Sequence, residues 1–542
     1  MISSVVKIPA LLFSSLFLAV SAPALEDTWL PSALREAASV EKERPPKESI
    51  SNRNSVTTGT PLPSPHVSVH NDHIGVATHF VRKRKMLHWD PQKYIPLIAD
   101  LGVGWIRDEI MWNRLEVEQG KLKVPDADRE WIDLAHEHGL KIIVTLNGSN
   151  SLVYGRTDDY EPEAYAKAAA FLARELKDKV RAIEVINEPF NWYARSYFEG
   201  TSRGGDLYGL NKDGQPESWL GRYVKLINMT GEAVKAANPD IKVIGFGGFP
   251  AMNMRMIEMG ISPTVDGVVL HPYSYRTVSE IVPYAASDEN FKRNGGRQTA
   301  DEEGTFTSLI RYSREFSVKH NGPKETWLTE WGWTTKRDRA GSRSNFAGFT
   351  EVAQAAYIQR RFMECLGLGV ENSIVYSFMD DRNNPPETSE FNGEDNFGLI
   401  KSDGTPKPAY AAVQRLARAT AGFVVSNDIK VSITTPTQRP DGQAFHARDG
   451  TVLHAPDRAA CYQFKDHDGN TVIAVWSMER ISDQSPRPAD VEIAVKPDTA
   501  VSATDLMTGR VYPPLTSEKN GHLFLKDFGL SPHPVLIRLQ SK

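Results

Sequence analysis

Eight short apolar runs, mostly separated by segments of helical period, assign residues 69–420 to the α/β class as a closed (β/α)8 barrel, the TIM-barrel architecture. Beyond residue 421 the period changes from helical to two, with hairpin turns between runs, which predicts an antiparallel β-sandwich over 421–542. A third observation separates the barrel from an open sheet. A doubly wound sheet usually carries a glycine-rich phosphate turn after its first strand, and "GVATHFVRKRK" has none.

The alternation starts with "HIGVATHF" (73–80) as strand one and "PQKYIPLIADLG" (91–102) as a helix stopped by glycine. "VGWIRDEI" (103–110) is strand two, and "DADREWIDLAHEHGL" (126–140) a helix opened by an aspartate. "KIIVTLN" (141–147) is strand three and 161–178 the next helix; "AIEVIN" (182–187) is strand four, with a helix over 219–238. "KVIGFGG" (242–248) and "GVVLHPYSY" (267–275) are strands five and six, followed by a helix around 308–320. "ETWLTEWGW" (325–333) is strand seven, 352–367 a helix, and "NSIVYSF" (372–378) strand eight. In the sandwich, "DHDGN" (466–470) resembles part of a calcium loop, but it lacks the distal glutamate and fits a hairpin turn better.

A chain of 542 residues can bury one large core and a second, smaller one. Its 40% hydrophobic and 24% charged residues exclude a disordered or membrane-embedded class. A net charge of -5 gives no basic face for nucleic acid. Lys7, the apolar run from Ile8 to Val20 and the small-x-small Ala22-Pro23-Ala24 read as a signal peptide over 1–24, the alternative being an uncleaved anchor. The run is shorter than the ~20 residues that span a bilayer, so the protein is expected to be exported, periplasmic or extracellular. Residues 25–68, rich in Pro, Ser, Thr, Lys and Glu, read as a linker or extended segment. Cys365 and Cys461 leave open either two thiols or one bridge.

The chemistry is concentrated at two strand ends. In "EVINEPF" (184–190), Pro189 cannot donate to a ladder, so it ends strand four with Glu188 at the barrel's C-terminal rim. Alone, an Asn-Glu-Pro triplet is more often a strand-to-loop corner. Glu330, where the apolar run of strand seven ends, supplies a second carboxylate pointing into the same mouth. Paired carboxylates suit glycoside cleavage: one gives a proton to the leaving oxygen while the other attacks an oxocarbenium-like centre. Crowding two like charges keeps a proton available on one of them. No HExxH or CxxC occurs, so neither a catalytic metal nor a cofactor is expected.

At these residues the sequence resembles the large clan of retaining (β/α)8 glycoside hydrolases, and within it glycoside hydrolase family thirty-nine, especially the exported endoglycosidases linked to bacterial exopolysaccharides. The matching stretches are "WIRDEIMWNRLEVEQGKL", "VINEP", "LHPYSY", "LTEWGW" and "NFGLIKSDGTPKPAYAAVQRL", in order from about Ile74 to Leu416. The resemblance implies Glu188 as acid/base, Glu330 as nucleophile and Asn187 against the sugar 2-hydroxyl. It implies Arg107 beside the nucleophile, favouring its ionised form, and His271 and Tyr273 lining the subsite and orienting Glu330. Many clan members end strand eight with a tryptophan; here "IVYSFMDD" leaves Phe378 or Tyr376 as the sugar platform.

Trp112, Trp192, Trp331 and Trp333 lie just past strand ends, where stacking on sugar rings and packing beneath loops are both open. Asn147, which opens an Asn-Gly-Ser sequon, falls inside the mouth. The rim carries Arg82, Lys83, Arg84 and Lys85 after strand one, and Lys336, Arg337, Arg339 and Arg343 after strand seven. Between them in a closed barrel comes the acidic loop with Asp380, Asp381, Glu387, Glu390, Glu394 and Asp395, so the rim is expected to pair with itself rather than attract an anionic substrate. The expected partner is a carbohydrate, cut by a retaining, endo-acting hydrolase. An exo-acting glycosidase, an envelope transglycosylase and a sugar-binding protein on an enzyme-like barrel are the alternatives.

Overall fold

Parallel strands Asn71–Ala77 (β1), Val103–Met111 (β2), Lys141–Asn147 (β3), Val180–Val185 (β4), Lys242–Phe246 (β5), Gly267–Leu270 (β6), Glu325–Leu328 (β7) and Asn372–Val375 (β8) close into a barrel. β8 pairs with both β7 and β1, which seals the ring. The computed structural model describes residues 60–61, 70–80, 89–155, 160–191, 193–194, 208–339, 344–381, 384–435, 444–446, 452–481, 486–495 and 499–541. The expected signal peptide and nearly all of the expected linker lie outside these residues.

Each strand is followed by a helix: Pro91–Asp100 (α1), Asp126–Glu137 (α2), Pro162–Glu175 (α3), Ser218–Ala237 (α4), Pro250–Glu258 (α5), Phe306–Lys319 (α6), Glu351–Gly367 (α7) and Pro408–Ala419 (α8). The starts follow from capping chemistry. Asp90 accepts from the Gln92 amide with Pro91 in the first turn, and Thr305 and Thr350 cap α6 and α7 the same way. Asp126 does not cap α2; Pro125 takes that position and Asp126 acts through its charge in the first turn. Sequence reading assigned no helix to α5.

Alternation along the strands sorts the barrel lumen into two layers. At the bottom, Trp105 and Trp327 meet edge to face with ring centroids 5.6 Å apart. They fit because Gly75 and Gly267 leave room: a Cβ there would lie 2.3 Å from Ile374 Cδ1 and 2.5 Å from Trp327 Cδ1. Two residues further along β2 the inward side chain is Arg107, and with Thr145 of β3 it donates to Glu184 of β4, all three buried. An apolar floor thus carries a polar layer just beneath the mouth.

The C-terminal region forms a seven-stranded and a four-stranded antiparallel sheet. Ile473, Val475, Ile537 and Leu539 from one sheet face Val491, Ile493, Leu523 and Leu525 from the other, which makes the β-sandwich core. Asp466–Asn470 is the hairpin turn expected, joining strands Ala459–Lys465 and Thr471–Ser477. Thr60–Pro61 adds an edge strand beside Arg510–Tyr512, a position a proline tolerates. The outer face of the larger sheet, through Phe464, Trp476, Leu506 and Leu536, joins the same apolar core as the barrel helices. Cys365 and Cys461 are both free thiols.

Candidate active site

Strand four leaves the barrel with two left-handed residues, Ile186 at φ 62° and Glu188 at φ 44°, flanking Asn187. Side chains larger than glycine resist this conformation, and such strain concentrates at functional sites. The double kink projects Asn187 and Glu188 over the lumen. Glu188 Oε1 lies 3.0 Å from His271 Nδ1, and its Oε2 accepts from Asn191 Nδ2 at 2.7 Å. Across the mouth, Glu330 Oε1 accepts from the Tyr273 hydroxyl at 2.7 Å, and Oε2 from Arg107 Nη1 at 3.3 Å. One oxygen of each carboxylate and a ring nitrogen of His271 lie within 4.8 Å of one another. The two side chains keep 22% and 15% of their surface exposed, so both face the opening.

Beneath them Glu184 organises the layer. It accepts from Arg107 Nε at 2.5 Å, Thr145 at 2.6 Å and Thr329 at 2.9 Å. Burial works against its charge, but the Arg107 guanidinium outweighs that and holds its pKa below the ordinary value. Arg107 is itself buried; the charges of Glu184 and Glu330 overcome that cost and raise its pKa. Its third nitrogen donates to Asn187 Oδ1 at 2.7 Å. The Thr329 hydroxyl spends its only proton on Glu184, so its oxygen accepts from His271 Nε2 at 3.0 Å. Nδ1 of His271 and Oε1 of Glu188 therefore share one proton. Burial disfavours the imidazolium, yet the Glu330 charge and the bond to Glu188 prevail and raise the His271 pKa.

Of the sites expected from sequence, Glu188, Glu330, Asn187, Arg107, His271 and Tyr273 converge, and Asn147 joins them by accepting from the Asn187 amide at 3.4 Å. His271 bonds Glu188 rather than orienting Glu330, a correction that follows from its two nitrogens facing Glu188 and Thr329. Four of the expected aromatic contacts are also corrected. Trp112, Trp331, Trp333 and Phe378 are buried, so no sugar can reach their rings. The indole of Trp112 donates to Glu116, that of Trp331 to Ser373 and that of Trp333 to the Thr277 carbonyl; Phe378 packs between Trp89 and Tyr94. Trp192 lies outside the described residues. Sequence reading missed Glu184, Thr145, Thr329 and Asn191. The available signal was an acid on an otherwise apolar strand, opposite an arginine two strands away.

Around the rim, Arg82, Lys83, Arg84, Lys85 and Arg343 lie outside the described residues. Arg337 pairs with Glu390 at 3.1 Å and Arg339 covers the Phe391 ring at 4.1 Å, both on the acidic loop. Lys336 instead pairs within its own loop, with Asp338, because it is buried. Asp380 pairs with Lys407 at 2.7 Å. Among the described residues, Glu188, His271 and Glu330 form the one acidic-histidine group close enough to hold a metal. Arg107 at 3.3 Å from Glu330 already supplies the positive charge there and would repel a cation.

No protein-family model matches the chain, and no curated protein does. Among solved structures, it is similar to a family 39 glycoside hydrolase from the gut symbiont Bacteroides cellulosilyticus WH2, at 19% identity over 87% of this chain and 82% of that one, with a TM-score of 0.60. That likeness speaks for a shared fold, barrel and accessory sheets together. A family 30 xylanase C catalytic domain from Talaromyces cellulolyticus is 10% identical over 90% and 98% of the two chains, with a TM-score of 0.47. A family 51 arabinofuranosidase from Xanthomonas axonopodis pv. citri is 13% identical over 89% and 98%, with a TM-score of 0.45. These two are too distant to add to it. Among the described residues, no helix is long and apolar enough to cross a membrane.

Proposed function

We propose that this chain is an exported, endo-acting retaining β-glycosidase that hydrolyses a polysaccharide or oligosaccharide, with Glu188 as general acid and base and Glu330 as nucleophile. The observation that carries the reading is the approach of the two carboxylates, oxygen to oxygen within 4.8 Å, on the strand-four and strand-seven sides of one mouth. Direct attack by a carboxylate needs a separation of about 5–5.5 Å between the groups, whereas a water between them needs about 6.5–9.5 Å.

The hydrogen bonds favour the division of roles. Glu330 is held at both oxygens by donors, the Tyr273 hydroxyl and the Arg107 guanidinium, which fix it in place for attack. Its oxygen bonds to the anomeric carbon as the bond to the leaving oxygen breaks. Glu188 shares a proton with His271 and delivers it to that oxygen. In the second step Glu188 takes a proton from water, the water oxygen bonds to the anomeric carbon, and Glu330 leaves as a carboxylate. Asn187, held by Arg107, lies beside the pair where a sugar 2-hydroxyl would bond.

A 2-deoxy-2-fluoro glycoside slows the second step and should leave its sugar esterified to Glu330, located by peptide mass spectrometry. The first-formed product should keep the β-anomeric configuration by NMR. An inverted first product, or a label on another residue, would overturn the assignment.

A further inference from the structure

The pairing of β4 with β5 ends at Val185 opposite Gly245. Both strands then turn left-handed: Ile186, next after Val185, has φ 62°, and Phe246, next after Gly245, has φ 87°. β-Branched and bulky side chains resist that conformation, so it persists only where neighbouring groups hold it. One group stands between the two. The hydroxyl of Tyr223, on α4, donates to the Val185 carbonyl at 2.7 Å and accepts from the Phe246 amide at 2.8 Å. We propose that Tyr223 is a positioning residue for the acid/base step: its hydroxyl pins the two strand exits that set Glu188 against His271. The proposal rests on the glycosidase reading above and adds to it the means by which the proton donor is held.

The place is shaped for a hydroxyl. A Cβ on Gly245 would lie 2.7 Å from the Tyr223 oxygen and 2.6 Å from Ile227 Cδ1, so the lack of a side chain there lets the phenol reach between the strands. Tyr223 is wholly buried, and burial raises its pKa. The phenol therefore keeps its proton and can donate to one strand while accepting from the other.

The pinned segments lead straight to the proton-sharing pair. Glu188 is two residues past Ile186. Gly247 follows Phe246, and a Cβ on it would lie 3.5 Å from the Glu188 amide nitrogen and 3.7 Å from His271 Nε2. Glu330 is held from elsewhere, by Tyr273 and Arg107. Loss of the Tyr223 hydroxyl should thus loosen the proton donor and leave the nucleophile in place.

The test compares kcat/KM, which covers the steps up to departure of the leaving group, on β-linked oligosaccharides of glucose, mannose and xylose and on dinitrophenyl β-glycosides of the same sugars. Oligosaccharides need the proton of Glu188; dinitrophenyl glycosides do not. Tyr223→Phe removes only the hydroxyl and keeps the ring, whose centroid lies 6.2 Å from that of Phe246. It should lower the ratio of kcat/KM on oligosaccharide to kcat/KM on dinitrophenyl glycoside by about tenfold. Gly245→Ala, which keeps Tyr223 but displaces its hydroxyl, should lower the ratio likewise, and it decides alone if Tyr223→Phe does not fold. Tyr165→Phe removes another buried hydroxyl, one that donates to the Leu146 carbonyl of β3 at 2.5 Å, and should leave the ratio unchanged. A ratio equal to that of the unsubstituted protein in either folded variant, at 223 or at 245, overturns the role and leaves the glycosidase reading standing. An equal fall in Tyr165→Phe overturns it too, since any loss of a buried hydroxyl would then suffice. If the unsubstituted protein cleaves none of these substrates, the glycosidase reading fails and the role of Tyr223 with it.

Discussion

Glu184 touches neither carboxylate at the mouth, yet its hydrogen bonds reach both: through Arg107 to Glu330, and through Thr329 and His271 to Glu188. The roles assigned above give distinct losses. Glu330→Ala should abolish turnover of every substrate. Glu188→Ala should cost roughly 10²–10⁴-fold on substrates with poor leaving groups and far less on dinitrophenyl glycosides, whose leaving group needs no proton. Equal losses on both would reverse the roles. The charges of the layer also set a pH window for stability. His271 has a pKa raised above its ordinary 6.5, so its stabilising contacts are fully present below 6.5 and are lost as pH rises through the raised value. Glu184 is lowered from 4.5, so its contribution is present above 4.5 and is lost as pH falls through the lowered value. Urea unfolding should therefore show a decline above pH 6.5 that His271→Gln lacks. Parallel curves would deny His271 that role.

At the scale of single elements, every barrel strand was legible because each is a short apolar run ended by glycine, proline or a polar cluster. The eight strands begin or end within a few residues of where the sequence puts them. The facing carboxylates were legible because two acids end the apolar runs of strands four and seven, on the same rim of the barrel. Trp331 was misread because the parity of extended chain went unused. Neighbouring residues face opposite sides, so with Glu330 turned into the mouth, Trp331 turns out against Phe362 of α7, with centroids 4.8 Å apart. Gly332 enforces this course: a Cβ there would sit 2.2 Å from the Tyr376 carbonyl oxygen, a backbone atom that cannot step aside. Gly332→Ala should push the Glu330 segment away from the end of β8, with a cost of about 1–3 kcal/mol from overpacking and a lower kcat. Chemical denaturation with kinetics on the same sample checks both. Unchanged kcat would mean that Glu330 is positioned independently of that contact.

Over the whole molecule, the sandwich does more than cover apolar helix surface. Its packing is tight: a Cβ on Gly367 of α7 would lie 2.1 Å from the Tyr462 ring. The same interface buries charge. Trp476 donates to Glu280 at 2.7 Å, and Arg360 of α7 donates to Glu280 at 2.8 Å and to the carbonyls of Met478 and Glu479 at 2.7 and 2.9 Å. Arg480 reaches the Arg276 carbonyl at 2.9 Å, and Arg361, next on α7, donates to the carbonyl of Pro272 at 2.9 Å. Pro272 stands between His271 and Tyr273, so the segment 476–481 braces, through α7 and the loop after β6, the two residues that hold Glu188 and Glu330. Parity and apolar pattern cannot show this, because hydrogen bonds across a domain boundary to a buried ion pair leave no periodic trace in either segment. Ending the chain after Ala421 should thus lower stability, and it should also lower kcat if any folded protein survives. Trp476→Phe separates the two effects, since the ring remains and only the donor is lost. A buried acceptor deprived of one partner costs about 1–3 kcal/mol, and the loop it anchors should shift the part of the pH profile that follows His271. Trp476→Phe with normal kinetics, beside a folded truncation that has lost only its hold on polymer, would make the sandwich a binding module instead of a brace.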